Sequence, residues 1–88
     1  MICKRVHYRG MVQGVGFRMT TRRLAEQYAV TGYVKNLADG RVEVIVSGDA
    51  DEVERFLDAI ARRMADFIQG HEVQIEPPLL LQSFEIRV

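Results

Sequence analysis

The stretch richest in chemistry is Gly10-Met11-Val12-Gln13-Gly14-Val15-Gly16-Phe17-Arg18. Glycines at 10, 14 and 16 let a backbone curl until its N–H groups point into one concavity, and such a concavity binds anions. Helical spacing begins at Phe17, so free N–H groups and the positive end of a helix dipole lie directly behind the loop. Arg18 stands at that helix start, where a planar guanidinium can donate two hydrogen bonds to adjacent phosphate oxygens. The spacing is neither G-x-x-x-x-G-K-[ST] nor G-x-G-x-x-G, so the known nucleotide loops are excluded. Gly14-x-Gly16 alone is better read as an ordinary tight turn whose glycines serve chain geometry. The second candidate is Asn36, at the end of a strand-like run. Taken alone, a strand-end asparagine is best read as bonding the turn that follows.

The elements that must position these residues follow from periodicity. Residues 2–9 alternate, with Ile2, Lys4, Val6 and Tyr8 on one face and Cys3, Arg5, His7 and Arg9 on the other, which predicts a strand. Phe17, Thr21, Leu24 and Tyr28 recur at helical intervals and predict a helix of about three turns. Asp39-Gly40 between Val30–Leu37 and Arg41–Val46 predicts a hairpin. In its second arm, Val42, Val44 and Val46 alternate with Arg41 and Glu43, so one face should be buried and the other partly wet. Asp49 with Glu52 is a capping-box pattern, and Val53, Leu57, Ile60 and Met64 continue it as a helix that should stop by Gly70. His71–Glu76 and Ser83–Val88 look like further strands, separated by Pro77-Pro78. The expected fold is α+β, a single domain over residues 1–88. It is a ferredoxin-like βαββαβ sandwich with a mainly antiparallel sheet, two helices on one face and a short extra C-terminal strand. That fold hosts many functions and settles none.

Composition narrows the classes. Twelve basic and twelve acidic side chains give a formal charge of zero in 88 residues, which argues against a general nucleic-acid binder. Up to residue 23 the chain carries six Lys and Arg side chains and no acid, so local positive potential is available in a neutral protein. No apolar run approaches the ~18 residues of a membrane span. Cys3 is the single cysteine, so neither an internal disulfide nor a cysteine zinc site is expected. A cytoplasmic location is the default, and a monomer is expected. His7, His71 and Cys3 read as ordinary sheet-face or buried side chains rather than bases or nucleophiles. Leu79-Leu80-Leu81 reads as an apolar loop that either covers the sheet or meets another chain.

The loop resembles the acylphosphatase signature G-x-V-Q-G-V-G-F-R, and Gly32–Val44 resembles that family's second block, G-[YW]-V-[RK]-N-x-x-D-G-x-V-E-V. The resemblance implies hydrolysis of acyl phosphates to a carboxylate and inorganic phosphate, without metal or other cofactor. It places the phosphate-binding arginine on Arg18, the water-positioning asparagine on Asn36, and the cradle on the backbone amides of Gly10, Met11, Val12, Gln13, Gly14, Val15 and Gly16. The alternative is a non-catalytic phosphate-binding, or carbamoyl-phosphate-handling, module of the same fold. The C-terminal third, from Arg62 to Leu81, fits the family pattern less well.

Overall fold

A computed structural model describes residues 1–79 and 81–88. The chain runs β1 (Ile2–Gly10), α1 (Phe17–Ala25), β2 (Val30–Asn36), β3 (Val42–Gly48), α2 (Ala50–Arg63), β4 (Ile68–Glu76) and β5 (Phe84–Arg87). One sheet has the order β4-β1-β3-β2-β5, antiparallel throughout except for the parallel pair β2–β5. Both helices pack on one face, where Val6, Tyr8, Val34, Val42, Val44 and Val46 meet Phe17, Leu24, Val53, Phe56 and Ile60. Each such side chain, when fully buried, contributes roughly 1.5–3 kcal/mol relative to an exposed one. No helix among the described residues is long and apolar enough to cross a membrane.

The expected element order stands, with four local differences. First, α1 has nine residues. Glu26, Gln27 and Tyr28 bond back three residues, to the carbonyls of Arg23, Leu24 and Ala25, so the helix tightens and ends before Tyr28. Second, the capping box does not form. Asp49 holds the N-cap position without a side-chain bond, and Glu52 Oε1 instead accepts from Ala29 N at 2.8 Å. Third, β4 begins at Ile68 and runs through Gly70 beside Arg9. Fourth, β3 is buried on both faces.

That last difference has a clear cause. On the face away from the helices, Glu43 is 5% exposed. It is enclosed by the Tyr33 hydroxyl, which donates to Oε2 at 2.8 Å, by His7 Nε2 at 2.8 Å from Oε1, and by Arg5 Nη1 at 3.4 Å. Leu81 packs on Cys3, Tyr33 and Ile45, and Leu79 N donates to Ser47 Oγ at 3.5 Å. The apolar loop therefore covers the sheet at its two described ends; Leu80 lies outside the described residues. Burial alone would push the Glu43 carboxyl up, but the bonds from His7 and Tyr33 and the Arg5 charge hold it below the usual range. Burial, then the bond to Glu43, pushes the Tyr33 hydroxyl up to about 12.

A carboxyl whose folded pKa lies below its unfolded value of ~4.3 stabilises the fold above that pH and ceases to do so as pH falls through the folded pKa. Glu43→Gln should therefore lower the urea midpoint at pH 7, and its deficit against the parent should shrink between pH 5 and pH 3. A deficit that stays constant across that range contradicts the assignment. A backbone test is available at Gly32, where φ is +149° and an added Cβ would collide with the Ile45 carbonyl. Gly32→Ala should cost about 2 kcal/mol or more, read as a lower urea midpoint at unchanged slope. An unchanged midpoint contradicts the close approach.

Candidate active site

The loop leaves β1 at an irregularity between Arg9 and Gly10, and Met11 N donates to Phe67 O at 3.0 Å. Val12 is fully buried and pins the loop to the helix-side core. Gly14 and Gly16 then take φ of +79° and +78°, a left-handed conformation that favours glycine. Gly16 is also the N-cap of α1. It offers no side chain, and its carbonyl accepts the first intrahelical bond from Thr20 N at 2.9 Å. The N–H groups of Phe17, Arg18 and Met19 precede that bond, so the helix leaves them unpartnered. The first turn of α1 has no acid and the last has Arg22 and Arg23, an order that leaves the positive N-terminal end of the dipole open to an anion.

Asn36 arrives from the other side. It is the last residue of β2 and pairs with Val42. The β2–β3 turn is closed by Leu37 N donating to Arg41 O at 2.8 Å. Asp39 Oδ1 accepts from Arg41 N at 3.1 Å and Oδ2 from Arg41 Nε at 2.8 Å. Those bonds, backbone first, hold the Asp39 carboxyl below its usual range and neutralise Arg41. The turn thus obtains its bonds from Asp39, the task that Asn36 could otherwise have served.

Val12, Gly14, Gly16, Arg18 and Asn36 line one depression of about 200 Å³, together with Phe17, Met19 and Ile86. Arg18 is the one charged side chain among these. It is half-buried, and its Nη1 lies a long 3.4 Å from Arg87 O, so little protein bonding must be given up to meet a ligand. Among the described residues, no three His, Cys, Asp or Glu side chains are grouped to hold a metal ion. His7 and His71 lie elsewhere: His7 against Glu43, His71 with its ring 6.1 Å from that of Tyr8.

The remaining loop residues do other work. Gly10 pairs with Ile68, Met11 is 70% exposed, and Val15 packs on the core. Gln13 is the unexpected one. Its Nε2 donates to Leu37 O at 2.8 Å and to Arg41 O at 3.0 Å. The loop that carries the amides is therefore tied to both sides of the turn that follows Asn36. The sequence signal was present: between Gly10 and Gly16, Gln13 is the one residue with a polar side chain.

Comparison with known proteins agrees along the whole chain. The acylphosphatase family model matches residues 4–86. The acylphosphatase of Archaeoglobus fulgidus is 47% identical over 87 residues, covering 98% of each chain. That of Yersinia pseudotuberculosis is 44% identical over 80 residues, covering 89% of this chain and 87% of the relative. The crystal structure of acylphosphatase from Bacillus subtilis superposes with a TM-score of 0.87 at 29% identity, covering 100% of both chains. With a match running from β1 to β5 and a shared fold over the full length, the chain belongs to the acylphosphatase family.

Proposed function

We propose that this chain hydrolyses acyl phosphates to a carboxylate and inorganic phosphate. Arg18 and the free amides of loop Gly10–Gly16 hold the phosphoryl group, Met11 N being taken by Phe67 O, and Asn36 orients the attacking water. The observation that carries the reading is the meeting of Arg18, the left-handed glycines and Asn36 around one depression with no carboxylate among the described residues that line it.

The chemistry suits that inventory. Water forms a bond to phosphorus while the bond from phosphorus to the acyl oxygen breaks, and its electron pair leaves with the carboxylate. The conjugate acid of that leaving group has a pKa near ~4, so it departs without a proton. The transition state is loose and the incoming water is weakly bonded, so little base strength is needed. The water's proton passes to the phosphate formed or to solvent. What the protein must supply is positive potential at the equatorial oxygens and an in-line water. The guanidinium and the N–H groups of the first turn of α1 supply the first. The Asn36 side-chain oxygen supplies the second by accepting a hydrogen bond from the water. This reading needs no metal. A buried, unpaired Cys3 suits a reducing cytoplasm, and a depression built within one chain suits a monomer.

Arg18→Ala and Asn36→Ala should each lower kcat on benzoyl phosphate by about 10²–10³ while circular dichroism stays unchanged. Turnover near the parent's by either variant removes that residue from the mechanism. Excess chelator should leave the parent's rate as it was, and inorganic phosphate should compete. Phosphate binding without turnover would instead identify a binding module. Gln13→Ala should act through position alone. Loosening the hairpin from the loop should lower kcat about tenfold, with a smaller change in the phosphate inhibition constant. Equal losses in both would mean that Gln13 serves phosphate binding and not the placement of Asn36.

A further inference from the structure

Arg18 and Asn36 are the polar side chains of the depression, beside its loop and helix amides; its other side chains are apolar. Met19, next to Arg18 on α1, and Ile86, on β5, both line it, and they are 54% and 38% exposed. Ile86 lies on the same face of β5 as the buried Phe84, two residues earlier, and lines the depression with Phe17, Arg18 and Met19 from the start of α1. Two large apolar side chains left in water at the edge of a polar depression are placed for a ligand and contribute little to the core. The volume agrees. The depression measures about 200 Å³, whereas a phosphoryl group is the size of two or three waters at about 30 Å³ each. Charge sets a further limit. Arg18 is the one charged lining side chain, and a phosphoryl group uses it, so no cation remains for a second carboxylate and no anion for an amino group.

The geometry points to an acyl subsite made by Met19 and Ile86, which favours acyl phosphates with an uncharged, apolar acyl group over acetyl phosphate and over acyl groups carrying a second charge. It rests on the hydrolase reading and refines it. Met19 is unbranched and adaptable, so the subsite grades substrates by apolar area and does not demand one shape. Full burial of a methylene is worth about fourfold. On a rim open to water on one side, about twofold per methylene is expected.

The test is kcat/KM for acetyl, butyryl, hexanoyl and succinyl phosphate, measured for the parent, Met19→Ser, Ile86→Ser and Met19→Lys. The parent should gain about 16-fold from acetyl to hexanoyl, about twofold for each added methylene, with succinyl no better than acetyl. Each serine variant should compress that rise to within about threefold. Met19→Lys should raise succinyl relative to butyryl. The rise is read within one protein, so a general loss of rate cannot imitate its flattening. A flat series in the parent, or an undiminished rise in both serine variants, overturns the subsite while leaving the hydrolase intact. A parent that turns over none of the four overturns the hydrolase reading and the subsite with it.

Discussion

Val42 pairs with Tyr8 on one side and with Asn36 on the other, and the two halves of the site depend on that register. The loop begins two residues beyond Tyr8, and Asn36 is the end of its own strand. Side chains alternate along a strand, so a slip of one residue in the β2–β3 pairing would turn Asn36 to the opposite face and take Tyr33 out of reach of Glu43. The sheet resists such a slip from both sides. Val34, Val42, Val44 and Val46 are fully buried against the helices, and Glu43, Ile45 and Ser47 are buried on the other face. Gln13 then closes the ring outside the sheet by binding the carbonyls of Leu37 and Arg41. Loop and hairpin are thereby held together twice, once through β3 and once through a side chain.

The fold also sorts charge. Six basic side chains occur before the first acid in the sequence, yet they do not pool at the site. Lys4 pairs with Glu54, Arg5 with Glu43 and Glu76, and Arg22 with Glu26, while Arg9 crosses Gly70. Arg41, in the turn beside Asn36, is occupied by Asp39. The exposed pairs among these, unlike Arg5 with the buried Glu43, contribute little to stability. Their consequence is electrostatic: most neighbouring cations are matched, and Arg18 faces the depression with only a long bond to a backbone carbonyl. The positive potential offered to an anion is therefore local, which keeps a neutral protein from attracting polyanions in general.

How much of this was legible in the sequence depended on range. The glycine loop, the Asp39-Gly40 hairpin and the order of elements are written in short spacings, and they could be read directly. The joining of Arg18 with Asn36 was legible only through the resemblance of two motif blocks to a known family. Contacts set by tertiary packing were not legible. Glu52 has the spacing of a capping box, but the unpartnered Ala29 N at the entry to β2 lies close enough to take it. Glu43 looks like the wet side of an alternating strand, but it occupies the central strand, where its neighbours' side chains bury it. Gln13 sits in a motif whose glycines draw attention to the backbone, while its side chain serves a turn more than twenty residues away. Met19 and Ile86 look like unremarkable apolar residues until α1 and β5 bring them to one rim.

The grip and the chemistry make separate demands. A simple phosphate monoester would present the same dianion to the same amides and to Arg18, so the cradle alone cannot tell it from an acyl phosphate. Its alkoxide leaving group, however, needs a proton as it departs. The described lining supplies two glycines, four apolar side chains, an amide and a guanidinium, and none of these is a general acid near neutral pH. On the proposed reading, selection against monoesters lies in the leaving group and not in binding. A monoester should be held much as inorganic phosphate is and then released unchanged. On the same reading, a described lining without acid or base confines turnover to phosphates whose leaving group can carry its own charge away.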